Sequence, residues 1–125
     1  MAGARLVAGD ISMAGSQLEA VEKEGKWWRF MEAPTANWLE YQGVLAGRLS
    51  NEDFETVSQA VRVLKTIFDK IPAAPTWPEG AGVMDLPEGT VKGLAGPISE
   101  AADAYNALAD LAGHSRVSGR IHSPA

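Results

Sequence analysis

The sequence predicts an all-α protein: an antiparallel four-helix bundle with one long Pro/Gly-rich loop between its third and fourth helices. Two observations favour this fold. In four separate segments, apolar residues recur at intervals of three and four, the spacing that places side chains on one face of a helix. No segment shows the sustained apolar–polar alternation of a strand, and the chain contains no Asn-Gly or Asp-Gly hairpin signal.

The first helix is predicted over residues 5–32. Its apolar seam consists of Val7, Ile11, Ala14, Leu18, Val21, Gly25 and Trp28. Pro34 ends this helix, because proline lacks the amide hydrogen that a helix interior needs. The seam is longer than the second and fourth helices, so we expect them to leave its first part uncovered. A second copy or a partner would bury such a surface. This predicted self-association stripe consists of Val7, Ile11, Ala14 and Leu18.

Three further helices are predicted over residues 35–49, 51–71 and 97–112. Ser50 lies where it can cap the third helix, and Gly113 is a typical C-terminal stop for the last one. The connection at Ser50 is very short, so the second and third helices should be antiparallel neighbours. Their narrow apolar seams favour the shallow crossing angle of a left-handed bundle.

Two segments are predicted to be non-helical. Residues 72–87 contain four prolines and two glycines, which leaves no regular element there. Pro72, Pro75 and Pro78 form a Pro-x-x-Pro pattern that SH3-like grooves read, but a stiff connector that covers the bundle is the simpler interpretation. Residues 1–113 are thus predicted to form a single helical domain, and residues 114–125 a flexible polar tail.

Composition excludes several classes of function. The chain has 125 residues, about one domain, with 11 basic and 16 acidic side chains. The formal charge of −5 argues against nucleic acid as a partner, because binding phosphates requires clustered Lys and Arg. No segment approaches the roughly 18 apolar residues of a membrane-spanning helix. We therefore expect a cytoplasmic protein with no direct membrane span.

The residues of common catalytic and metal sites are missing. The chain has no cysteine, and both histidines, His114 and His122, lie in the predicted tail. It also has no nucleophile elbow, no phosphate-binding loop and no dinucleotide motif. We therefore expect a protein that is not an enzyme, with no cofactor and no metal.

Tryptophan supplies the candidate binding surface. Residues adjacent on a helix differ by about 100°, so Trp27 and Trp28 cannot both face the seam. Trp28 is predicted to enter the core and Trp27 to lie at its boundary. These residues form either an aromatic core where the first two helices meet or an exposed surface for a partner or ligand. The candidate surface consists of Trp27, Trp28, Phe30, Met31, Trp38 and Trp77.

The leading expectation is a non-enzymatic helical domain that acts through protein–protein contact or self-association, including as a homodimer. One alternative is a carrier or sensor of a small apolar ligand, with a Trp-rich pocket and the Pro-rich loop as its lid. Another is the soluble domain of a larger membrane or multidomain protein. Burial of Val7, Ile11 and Ala14 within one chain would remove the basis for the self-association stripe.

Overall fold

The computed structural model describes residues 1–28, 31, 35–73, 82–118 and 120–124. Its helices are α1 (Ala2–Glu24), α2 (Ala36–Ala46), α3 (Asn51–Lys70), α4 (Glu88–Lys92) and α5 (Ala95–Ala112). Its strands are β1 (Lys26–Trp28), β2 (Val83–Asp85), β3 (Val117–Ser118) and β4 (Arg120–Pro124). The protein is mostly helical, which confirms the all-α class.

The first helix ends well before the predicted residue 32. Gly25 adopts a left-handed conformation with φ 69°, and its amide donates to the carbonyl of Val21. Glycine is favoured at such a position because it has no Cβ to clash. Gly25 therefore ends α1 instead of continuing its apolar seam.

A short β-ribbon follows, which the sequence analysis did not predict. Strand β1 pairs antiparallel with β2, so that Trp27 lies opposite Met84 and Trp28 opposite Val83. The Leu86 amide also donates to the Gly25 carbonyl over 2.8 Å. The ribbon thus joins the end of α1 to the chain that precedes α4, and part of the predicted irregular loop is a strand.

Several predicted features fall on residues that the structure does not describe. Phe30, Pro75, Trp77 and Pro78 lie outside the described residues. Their roles in an aromatic surface or a proline-rich connector therefore stay predictions.

The four longer helices meet in a ring of pairwise contacts. Helix α5 packs against both α1 and α3, while α2 packs against α1 and, less extensively, against α3. The Met1 backbone nitrogen donates to the Leu111 carbonyl over 2.7 Å, which places the start of α1 beside the end of α5.

Two contacts define the seam between α1 and α2. Near the start of α1, a Cβ at Gly3 would lie 2.7 Å from Cδ1 of Tyr41, so only glycine allows this close approach. Further along, Asn37 Nδ2 donates to Asp10 Oδ2 over 2.9 Å. The start of α1 therefore lies beside the later part of α2.

The apolar core includes the whole of the predicted self-association stripe. Val7 is 1% exposed, and Ile11, Ala14 and Leu18 are fully buried. Helix α5 has the most extensive contacts with α1, and its buried face is rich in alanine, which lets the two helices approach closely. The prediction that this stripe is free for a second copy is therefore wrong.

The predicted flexible tail is in part attached to the helices. Strands β3 and β4 pair antiparallel, and β4 contacts α5 and α1. Asn106 of α5 donates from Nδ2 to the Val117 carbonyl and accepts the Val117 amide on Oδ1, both over 2.8 Å. The described part of residues 114–125 thus follows the surface of α5, because one side-chain amide supplies both a donor and an acceptor for its backbone.

Candidate partner-binding surface

The two adjacent tryptophans lie in environments opposite to those predicted. Trp27 is fully buried and meets Phe68 of α3 edge-on, with ring centroids 5.2 Å apart. Trp28 is 40% exposed. The reason is that both residues lie in a strand, where successive side chains point to opposite faces. Trp27, not Trp28, is therefore the core residue.

Most of the predicted aromatic surface is packed inside the protein. Trp38 is buried, with its ring centroid 5.3 Å from that of Phe54, and Met31 is half-buried against the core. The Trp27 indole nitrogen has no hydrogen-bond partner among the described residues. Of the candidate residues that the structure describes, Trp28 alone is exposed.

The large apolar side chains that are exposed in the described residues fall into three places. Trp28 and Val83 lie opposite each other on the outer side of the β-ribbon. Leu39 lines a groove between α2 and α3. The remaining three border the α1–α2 seam; they are Leu6, Met13 and Val44.

Helix α1 contributes two of the side chains beside the seam. Leu6 and Met13 follow Gly3 and Asp10 by three positions, which turns them about 60° around the helix. This turn leads away from buried Val7, so both side chains point outward; they are 45% and 62% exposed.

Helix α2 contributes the third side chain. Val44 follows Tyr41 by three positions, on the side away from buried Leu45, and is 53% exposed. We call Leu6, Met13 and Val44 the outer apolar face. The spacing of residues within each helix does not identify this face by itself. It can be recognised only once the Gly3–Tyr41 contact shows where α1 and α2 meet.

Charge is sparse on the outer apolar face. The outward positions of α1, again spaced by four and three, are Ala2, Leu6, Gly9, Met13, Ser16 and Ala20. Two exposed charges border the face: Arg5 on α1 and Glu40 on α2. Neither forms an ion pair within the described part of the chain.

An acidic groove lies between α3 and α5. Its volume is about 430 Å³, and its lining includes Glu52, Glu55, Glu100 and Asp103. One carboxylate oxygen of Glu100 is buried without a hydrogen-bond partner among the described residues. Across those residues, however, no three His, Asp or Glu side chains are grouped so that they could hold a metal ion.

Two further grooves border α3. One, of about 460 Å³, lies between α3 and the start of α5 and is lined in part by Arg62, Ile67 and Pro97. The other, of about 200 Å³, lies between α2 and α3. Trp38 and Leu39 contribute to its apolar lining.

His114 is the histidine whose side chain the structure describes. It stacks on Tyr105 with ring centroids 5.6 Å apart, and its Nδ1 has no hydrogen-bond partner in the described part of the chain. The stacking explains why this ring lies against α5 instead of extending into solvent.

Comparisons with protein-family models, with curated proteins and with solved structures found no match to this chain. None of the helices in the described ranges combines the length and the hydropathy needed to cross a membrane. Function therefore has to be inferred from the surface itself.

Proposed function

We propose that this chain is a non-enzymatic helical domain that binds a protein partner through the outer apolar face. The carrying observation is the exposure of three large aliphatic side chains around one helix seam: Leu6, Met13 and Val44. Each square ångström of apolar surface that a partner removes from water stabilises a complex by about 25 cal/mol. Contiguous apolar patches with polar borders are typical of interaction sites.

The scaffold that we infer is an antiparallel four-helix bundle of α1, α2, α3 and α5. Two contacts support it: Met1 with Leu111 between α1 and α5, and Asp10 with Asn37 between α1 and α2. Both halves of the outer apolar face lie on helices, and helices hold side chains in more defined positions than loops do.

Site-specific photo-cross-linking in the source cells tests this function. A benzoylphenylalanine at position 13 should give a discrete adduct, and the same group at Glu55, on the far side in the acidic groove, should not. Adding Val44→Lys to the position-13 chain should reduce the adduct, because a charge within the face opposes its burial. Equal labelling at positions 13 and 55, or an adduct yield that Val44→Lys leaves unchanged, would contradict the proposal.

The carrier function is a second candidate, and one observation favours it. Trp38 and Leu39 line the α2–α3 groove, where an apolar molecule could contact an indole. The groove measures about 200 Å³, below the roughly 300 Å³ at which small-molecule pockets begin. A panel of fatty acids and aromatic compounds, followed by tryptophan fluorescence, tests it. A saturable change that Leu39→Asp abolishes would support a carrier.

A further inference from the structure

We propose that the partner of the outer apolar face is a second copy of this chain, related by a two-fold axis that runs along the α1–α2 seam. This inference rests on the proposed function and adds the identity and the orientation of the partner. Two-fold dimers are the commonest assemblies of soluble proteins, and each surface patch in them meets itself.

The charge of the chain restricts where two copies can meet. Each copy carries a formal charge of −5, so a contact between acidic surfaces, such as the two α3–α5 grooves, would be repulsive. The six positions of the outward stripe of α1 are uncharged; they are Ala2, Leu6, Gly9, Met13, Ser16 and Ala20. Asp10 places one carboxylate in the seam, where it is hydrogen-bonded to Asn37. Two like-charged copies therefore meet with less repulsion at the outer apolar face than at the acidic grooves.

The two charges that border the face, Arg5 and Glu40, indicate how the two copies are oriented relative to each other. The Gly3–Tyr41 and Asp10–Asn37 contacts place Glu40 of α2 at about the height of Arg5 along the helix axes. Arg5 lies one residue before Leu6, which turns it about 100° further from α2 around the helix. Its side chain therefore points to the border of α1 that faces away from α2.

A two-fold axis parallel to the helices lays α1 of one copy over α2 of the other at the same height. Arg5 of each copy then meets Glu40 of the other copy, so the symmetry forms two ion pairs at once. Neither side chain has an ion-pair partner within the described part of its own chain. The border charges are thus complementary in this arrangement.

The size of the face predicts a weak dimer. A standard interface uses roughly 20–30 residues on each side, and the outward positions of α1 and α2 supply about half that number. We therefore expect a weak monomer–dimer equilibrium.

Sedimentation velocity of the purified full chain, from micromolar to millimolar concentration, is the first test. The wild-type chain should dimerise, and Met13→Lys should raise the dissociation constant about tenfold or more, because it places a charge within the contact. Leu39→Lys is the matched control, an exposed aliphatic residue outside the face, and should leave the constant unchanged. Far-UV circular dichroism confirms that each variant is folded.

A charge exchange tests the orientation. Arg5→Glu and Glu40→Arg should each weaken the dimer several-fold, and the double variant should restore it, because the two residues meet across the axis. A double variant that stays as weak as the single ones would overturn this arrangement. A dimer that Met13→Lys leaves intact would overturn the use of this face.

The same experiments distinguish failure of self-association from failure of the proposed function. A chain that stays monomeric at every concentration overturns self-association. The proposed function still stands if photo-cross-linking at position 13 gives an adduct with a different protein. If position 13 gives no adduct and the chain is monomeric, both proposals fail.

Discussion

Trp27 and Trp28 are adjacent in the chain, but their side chains lie in opposite environments. Trp27 is fully buried against Phe68, whereas Trp28 is 40% exposed on the outer side of the ribbon. We expect Trp27→Ala to lower the free energy of unfolding by about 3–5 kcal/mol, and Trp28→Ala by less than about 1 kcal/mol. Urea unfolding followed by far-UV circular dichroism measures both. Similar losses for the two variants would contradict the burial that the structure assigns.

The N-terminus of α3 is the best-capped helix start in the described residues. Ser50 Oγ accepts the amide hydrogen of Asp53 over 3.1 Å, and the first turn carries Glu52 and Asp53, as the helix dipole favours. Ser50→Ala should cost about 1 kcal/mol of unfolding free energy. Thr35→Ala is the matched control, because the Thr35 side chain makes no capping bond at the start of α2. A loss at position 35 as large as the loss at position 50 would count against this cap.

The same helix shows which elements a sequence can predict. Helix α3 was expected over residues 51–71 and spans Asn51–Lys70, because its apolar period and its cap are both local signals. Strand β1 differs because it depends on pairing with residues 83–85, far away in the sequence. In addition, the three- and four-residue spacing of the apolar seam continues through Gly25 to Trp28. This spacing therefore gave no sign that α1 ends at Glu24.

The class of the whole molecule was predictable, and its candidate surface was not. Leu6 and Met13 of the outer apolar face immediately precede Val7 and Ala14 of the predicted stripe. Heptad spacing tells which residues share a helix face, but it does not tell which face the neighbouring helices cover. That depends on the alanine-rich surface of α5, which covers the inner stripe and leaves the outer one exposed.

The stability of the whole molecule should depend little on salt. Its described core contains no buried polar or charged side chain, so apolar burial dominates the free energy of folding. The ion pairs on its described surface, such as Lys65–Asp69, have both side chains more than half exposed. Such pairs contribute at most about 1 kcal/mol each, and added salt screens them together with the repulsion within a chain of charge −5.

We therefore expect the free energy of unfolding to change by less than about 1 kcal/mol between low and high sodium chloride. Urea is the suitable denaturant, because guanidinium is itself a salt. The Met13→Lys chain should be measured beside the wild type, since it separates folding from association. A loss of several kcal/mol in salt for both chains would mean that charged contacts, and not the apolar core, hold the helices together.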